Sequence, residues 1–373
     1  MDEKKLSIAM LGHKRVPSRE GGVEVVVEEL AVRMAGRGHQ VTCYNRGGHH
    51  VSGAEFDGAA AEEYRGVRLE TVWTVERRGL AAMTSSLAAA WRAARSGADV
   101  VHIHAEGPAA MCWLPKAAGK RVVVTIHGLD WARAKWGRLA AGYIRWGERQ
   151  AVRHADEIIV LSRSVQEYFS RVYGRETVYI PNGVNRAQTA AAREIRSRWG
   201  LEKDSYVLFL GRIVPEKGLR CLMEAWKGVT TEKKLVIAGG ASDTEDFMEE
   251  LRREGDGVIF TGFQQGRALE ELYSNAYIYV LPSELEGMPL SLLEAMSYGN
   301  CCVVSDIPEC TEVVEDRAAV FPRGDAEALR RTLQALLDDP AAVDRLRSGA
   351  ADFITTKYSW DDVVERTLCL YES

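Results

Sequence analysis

Residues Tyr277–Gly299 read Y-I-Y-V-L-P-S-E-L-E-G-M-P-L-S-L-L-E-A-M-S-Y-G. The apolar run Tyr277 to Leu281 predicts a short buried strand. A turn with Pro282, Gly287 and Pro289 follows, and Leu290 to Tyr298 carries helical apolar spacing. Pro289 is expected at the first helical position, where its missing N–H loses no hydrogen bond. A buried strand, a tight turn and a helix form one β/α unit of a parallel sheet. A helix N-terminus leaves N–H groups free and carries a partial positive charge, so it holds anions well. Glu286 and Glu294 bracket that helix start. Two carboxylates flanking an anion site suit a ligand with a negative middle and hydroxyl-rich ends, which is the shape of a nucleotide sugar.

The same unit recurs along the whole chain. Strands are expected at Leu6–Leu11, Gln40–Tyr44, Val67–Val72, Val100–His104, Val122–Ile126, Glu157–Leu161 and Thr177–Ile180, with helices at Gly22–Ala35, Ser85–Arg95, Arg133–His154 and Ser164–Tyr173. The second half repeats the plan. Its strands are expected at Tyr206–Leu210, Lys234–Ala238, Val258–Thr261, Tyr277–Leu281, Cys302–Ser305 and Ala319–Phe321. Its helices should cover Gly218–Val229, Thr244–Glu254, Ala268–Ser274, Leu290–Tyr298 and Ala326–Leu337. P-N-G-V at Pro181–Val184, then a polar, alanine-rich stretch to Arg193, reads as a link between domains. The expectation is an α/β protein of two Rossmann-like β/α/β domains facing a cleft, residues 1–185 and 186–357. Open parallel sheets bind ligands at the carboxyl ends of their strands, and the motifs below all follow strand ends.

Composition narrows the class. A chain of 373 residues suits two ordinary domains, and 46% hydrophobic with 27% charged residues describes a globular protein. A net charge of -5 gives no global pull toward nucleic acid, so no nucleic-acid partner is expected. The seven cysteines include no C-x-x-C pair or zinc spacing, and adjacent Cys301 and Cys302 sit in an apolar run. Reduced cytosolic thiols follow. The first apolar segment is too short for a signal peptide or a membrane span and reads as a buried strand. Any membrane role must be peripheral.

After the strand ending at Leu210 comes G-R-I-V-P-E-K-G, Gly211–Gly218. Arg212 and Lys217 lie on one short loop, close enough to grip one diphosphate. A planar guanidinium and a point-charge ammonium together stabilise a pyrophosphate leaving group as charge develops. A surface loop with two solvated cations is the other reading of this pair taken alone. No D-x-D triplet is present, which points to cations of the protein in place of a metal.

G-R-I-V-P-E-K-G, then F-T-G-F at Phe260–Phe263, then the Tyr277–Gly299 stretch, together resemble the donor-binding domain of retaining glycosyltransferase family 4, a GT-B group. In the first half, G-G-V-E at Gly21–Glu24 before an amphipathic helix, and T-I-H-G at Thr125–Gly128, resemble the same family. V-P-S-R-E-G-G-V-E and G-L-D-W-A-R-A-K-W-G further resemble a subgroup that includes bacterial rhamnosyltransferases of surface polysaccharide assembly. The resemblance runs nearly end to end. It implies transfer of a hexose or deoxyhexose from a nucleoside-diphosphate sugar to a glycan or lipid-linked acceptor, without metal or cofactor.

The resemblance also assigns roles. It implies that Glu286 meets the donor sugar, Glu294 the ribose, and Arg212 and Lys217 the diphosphate. Backbone amides of Gly287, Met288 and Leu290 would complete the phosphate cradle, while Pro289 has no N–H to give. His127 would contact the donor sugar near the reacting carbon, so His127, Glu286, Arg212 and Lys217 form the expected catalytic set. Gly21 and Gly22 permit close approach of a phosphate, or form a plain turn before a helix. Glu24 matches an acidic acceptor-side position, or caps its own helix.

His102 and His104 share one face of a strand, and His104 is taken with Glu24 toward the acceptor. A metal at that pair is not expected, because no third ligand is near in sequence. Trp131–His154 mixes six cations with four aromatic rings. Such a segment can lie on an anionic bilayer, or bury its rings under a solvated basic face. With a lipid-linked acceptor the protein would work in the cytoplasm at the inner face of the plasma membrane. A last helix, Ser359–Tyr371, is expected to return to the first domain and bury Trp360, Val363, Val364, Leu368 and Leu370. Rival readings are a sugar-nucleotide epimerase or hydrolase on this architecture, and a scaffold without catalysis. A Rossmann dehydrogenase is disfavoured, since no G-x-G-x-x-G follows the first strand. Donor sugar, base, acceptor, linkage and oligomeric state are not encoded in any motif.

Overall fold

The computed structural model describes residues 4–48, 61–77, 79–133, 137–240 and 244–373. It divides into two units, Met1–Asn182 with Trp360–Ser373, and Gly183–Ser359. The first unit begins β1 (Ser7–Leu11), α1 (Gly22–Gly36), β2 (Gln40–Arg46), β3 (Glu63–Tyr64), β4 (Val67–Val72) and α2 (Leu80–Arg95). It continues β5 (Val100–His104), α3 (Glu106–Ala109), α4 (Trp113–Ala117), β6 (Arg121–Ile126), α5 (Arg138–His154), β7 (Glu157–Val160), α6 (Arg163–Tyr173) and β8 (Val178–Tyr179). Its sheet runs β3-β4-β2-β1-β5-β6-β7-β8, parallel throughout except for the β3–β4 hairpin. The order reverses beside β1, so the ends of β1 and β5 flank the switch point where such sheets take ligands.

The second unit holds α7 (Glu194–Trp199), β9 (Tyr206–Leu210), α8 (Leu219–Lys227), β10 (Lys234–Ala238), α9 (Glu245–Glu254), β11 (Ile259–Gly262), α10 (Gly266–Asn275) and β12 (Ile278–Leu281). Then come α11 (Leu290–Ser297), β13 (Cys301–Ser305), α12 (Pro308–Val314), β14 (Ala319–Phe321), α13 (Ala326–Asp338), α14 (Pro340–Arg347) and α15 (Ala350–Lys357). The strand order is β11-β10-β9-β12-β13-β14, all parallel, with its switch point between β9 and β12. Both Tyr277–Gly299 and the Gly211–Gly218 loop leave that point.

Central strands are apolar on both faces because helices cover both, so they read as unbroken hydrophobic runs. β6, β12 and β13 show this: Val122–Val124, Ile278–Leu281 and Cys301–Val304 are buried, and the two cysteines are packed and free. The chain returns to the first unit as α16 (Trp360–Glu372), which packs on α1. Its buried stripe is Trp360, Val363, Val364, Thr367, Leu368 and Tyr371. Leu370 is half-buried instead, because at 100° per residue it falls off the stripe that Thr367 and Tyr371 continue.

Three local expectations change. Pro289 is the residue before α11, with φ -77° and ψ 98°, and its carbonyl accepts from Leu292 and Leu293 at 3.0 and 3.3 Å. It therefore caps the helix with its carbonyl rather than filling the first turn. The helix expected from Arg133 begins at Arg138 as α5, after extended Gly137 (ψ 165°), and a 3-10 turn over Asp130–Ala132 stands ahead of it. The short helices α3, α4, α7, α12, α14 and α15 lie outside the expected elements, each too brief to show a period.

Candidate active site

Gly218 shapes the first half of the site in the second unit. Its φ is +68°, and a Cβ there would stand 1.9 Å from the Pro282 carbonyl oxygen. Only glycine lets the loop press so closely on the end of β12. The Glu284 amide then donates to the Glu216 carbonyl at 2.8 Å, locking the two loops together. As a result the buried Lys217 ammonium donates to Glu286 Oε1 at 2.5 Å. The Ser283 hydroxyl donates to the same oxygen at 2.6 Å, and Ser305 Oγ donates to the Ser283 carbonyl at 2.5 Å. An ammonium has three donors. Glu286 takes one of Lys217's, and the others have no partner among the described residues.

Arg212 follows the end of β9 and is half-buried, and its guanidinium makes no ion pair among the described residues. The backbone N–H groups of Gly287 and Leu290 also carry no intramolecular bond among the described residues. Glu294 lies five residues into α11, and its Oε2 accepts the Tyr273 hydroxyl at 3.0 Å. Burial and the Glu294 charge push the Tyr273 phenol well above its ordinary range, so it stays a donor. Tyr279 donates to Ser291 Oγ at 2.9 Å, which fixes the first turn of α11. The start of α11 thus stands between two oriented carboxylates, one of them held by Lys217.

The first unit gathers four histidines around the ends of β1, β5 and β6. Gly12 (φ +104°) allows this approach, since a Cβ there would stand 2.1 Å from the His104 carbonyl oxygen. His13 Nε2 meets Asn45 Oδ1 at 3.0 Å, and the same oxygen accepts the Val16 amide, so His13 carries its proton on Nε2. His102 bonds Tyr371 of α16 at 2.6 Å and Thr125 at 2.7 Å. His104 Nδ1 lies 3.1 Å from His127 Nε2. The pair expected to have no third ring nearby therefore has one, supplied by the next strand. Among the described residues, no three ligand-type side chains are grouped to hold a metal ion.

Burial keeps these rings neutral. It lowers His13 and His127 to about 4 and His102 to about 3, and it lowers His104 well below the ordinary value. His104 is wholly buried, and half-buried His127 stands against it. Glu24 does not cap its own helix: its Oε1 accepts the Lys14 amide at 2.8 Å. Gly21 has an extended backbone, and a Cβ there would lie 2.5 Å from Glu24 Oε2, so the small residue leaves room for that carboxylate. Gly22 is the first residue of α1.

Arg212, Lys217, Glu286, Gly287, Met288, Leu290 and Glu294 therefore belong to one unit, and Gly21, Gly22, Glu24, His104 and His127 to the other. Sequence reasoning missed Ser283 and Tyr273, which orient the two carboxylates, and His13 and Asn45. Ser283 lies within the Tyr277–Gly299 stretch but carries no charge to mark it, and Tyr273 meets Glu294 through tertiary packing alone. In the Trp131–His154 segment, Lys135 and Trp136 lie outside the described residues. On α5, Arg138, Leu139, Arg145, Trp146, Arg149 and Arg153 are exposed, with Leu139 at 93% and Trp146 at 41%. Among the described residues no helix is long and apolar enough to cross a membrane.

Two family models match successive stretches of the chain. Residues 20–188 match the family described as Glycosyltransferase Family 4, and residues 191–353 match Glycosyl transferases group 1. The chain is 27% identical over 366 residues to a phosphatidyl-myo-inositol mannosyltransferase of Mycobacterium leprae, covering 95% of this chain and 93% of that one. It is 29% identical over 283 residues to the alpha-D-kanosaminyltransferase of Streptomyces kanamyceticus, covering 69% and 73%. The fold is similar to that of Anabaena HepE, solved with UDP and glucose, with a TM-score of 0.80, 18% identity, and 97% and 98% of the chains covered.

Proposed function

From the premise that the chain is a GT-B glycosyltransferase of these families, we propose that it moves a hexose or deoxyhexose from a nucleoside-diphosphate sugar to a hydroxyl of a glycan or lipid-linked acceptor, with retention at the anomeric carbon. The observation that carries this reading is the Lys217–Glu286 contact at 2.5 Å. It brings the cationic loop and the acidic motif to one point beside the amides of Gly287 and Leu290, which bond to nothing among the described residues.

In this reading the diphosphate lies over the start of α11, gripped by Arg212 and Lys217. Glu286 meets hydroxyls of the sugar and Glu294 those of the ribose. His127, neutral at physiological pH, contacts the sugar as a hydrogen-bonding group and not as a cation. The acceptor oxygen bonds to the anomeric carbon on the face that the phosphate oxygen leaves. The acceptor's proton passes to that departing oxygen, while Arg212 and Lys217 stabilise the charge left on the diphosphate. We place no metal and no cofactor in this step, because these cations and the dipole of α11 supply the positive field.

A lipid-linked acceptor draws support from the M. leprae relative, which by its name acts on phosphatidyl-myo-inositol. The exposed face of α5, with Leu139 and Trp146 among four arginines, suits peripheral contact with an anionic bilayer. The stretches V-P-S-R-E-G-G-V-E and G-L-D-W-A-R-A-K-W-G favour a deoxyhexose such as rhamnose in bacterial surface polysaccharide synthesis. UDP in HepE makes uridine the first base to try, with guanosine and thymidine beside it.

The test is incubation with a panel of nucleoside-diphosphate sugars and lipid-linked acceptors, following diphosphate release and the anomeric configuration of the product by NMR. Release that requires acceptor, with retained configuration, is the expected result. Release without acceptor would make the protein a hydrolase, and an isomerised donor would make it an epimerase. Failure of every donor to raise the melting temperature would make it a scaffold.

A further inference from the structure

Two residues after His104, Glu106 opens α3 with its side chain wholly buried. Its Oε2 accepts the Asp130 amide at 2.7 Å, on the 3-10 turn that follows the His127 loop. Its Oε1 makes no hydrogen bond among the described residues. Facing it from α5 is Glu148, also wholly buried. Glu148 Oε1 accepts the hydroxyls of Tyr168, at 2.9 Å, and Tyr173, both on α6. Its Oε2 accepts the Trp131 indole N–H at 3.2 Å. Gly147 makes the approach possible, since a Cβ there would lie 2.0 Å from the Glu106 carbonyl oxygen.

No cation pairs with either carboxyl among the described residues. Arg133 is spent on Asp130 at 2.7 Å, and the Arg145 guanidinium stacks on Trp131 at 3.9 Å. Two buried carboxylates side by side cannot both carry charge. Glu148 receives three donors. Glu106 receives one and its Oε1 has none among the described residues, and the groups that the two carboxylates hold, the Asp130 amide and the Trp131 ring, are neighbours in sequence. A proton on Oε1 donating to Glu148 satisfies the orphaned atom and removes the repulsion. We propose that Glu106 and Glu148 share this proton and act together as positioning residues for His127, Glu106 holding the backbone at Asp130 and Glu148 the ring of Trp131. The role given to His127 rests on the transferase reading above; the shared proton does not.

Burial, then the Asp130 charge, then Glu148, push Glu106 up to about 11 from an ordinary 4.5. The facing tyrosines are also raised and remain donors. Between those two values the folded chain keeps a proton that the unfolded chain has lost. This site therefore lowers stability as pH rises, by about tenfold in the folding constant per pH unit. Glu106→Gln keeps a donor toward Glu148 and an acceptor for Asp130 but has no proton to lose. Denaturation of the wild type and Glu106→Gln between about pH 5 and pH 9 should show the wild type losing ground to the variant as pH rises. A difference that stays constant with pH overturns the shared proton.

Positioning is read separately, without substrate, from the His127 ring signals in nitrogen-15 NMR, assigned with His127→Gln. Glu106→Ala should move them and Glu106→Gln should leave them in place; signals unmoved in Glu106→Ala overturn the positioning role. In the assay, Glu106→Ala should lower kcat about tenfold with donor KM unchanged, and Glu106→Gln should restore it. A wild type that transfers no sugar would sink the transferase reading alone, since the pH comparison and the NMR signals still decide this one.

Discussion

Arg212 and Lys217 share a loop but not a predicament. The Lys217 and Glu286 side chains are 11% and 8% exposed, so removing the ammonium strands a buried carboxylate. Lys217→Ala should therefore cost about 3–5 kcal/mol of stability in addition to activity. Arg212 has no ion pair among the described residues. Arg212→Ala should leave stability within about 0.5 kcal/mol while lowering kcat by about 10²–10³-fold. Denaturation curves beside steady-state rates separate the two, and equal losses of stability would contradict the assignment. The charged members of this cradle were legible because they sit in runs around strand ends. Tyr273, Glu106 and Glu148 were not, because each acquires its role from a partner on another element, and Ser283 was not, because a neutral hydroxyl in the loop carries no such mark.

At the scale of elements, β4, β5, β9, β10 and β14 occupy the residues expected for them, because turn residues bound each short apolar run. Helix starts were harder to read. α2 begins at Leu80 rather than Ser85, since its first turn, L-A-A-M-T, is mostly small residues with weak periodicity. α5 was recognised as basic and aromatic, but its sides became distinct only in three dimensions. Ile144, Gly147, Glu148 and Ala151 face inward, while Leu139 and Trp146 face out among arginines. Serine at both Leu139 and Trp146 should weaken binding to anionic vesicles by roughly tenfold in a sedimentation assay. Undiminished binding would remove α5 from the membrane account.

The molecule as a whole carries a pH signature in its first unit. His13, His102, His104 and His127 are all held below the ordinary 6.5 by burial. As pH falls below 6.5 the unfolded chain gains protons that the folded chain refuses until about 4 or lower. Stability should therefore drop with acidification through that window, and be steady in this respect above it. Denaturation midpoints from about pH 7 down to pH 4 would check this, and a flat profile would contradict the buried neutral rings. Two-unit architecture followed from strand count and the Pro181–Val184 link, whereas this cluster depends on β1, β5 and β6 lying side by side. The most direct test of the central claim is calorimetric titration of UDP, GDP and dTDP into the wild type and Arg212→Ala. One of them should bind the wild type, and bind Arg212→Ala about 10- to 100-fold more weakly. No binding of any of the three, or equal binding by both proteins, would contradict it.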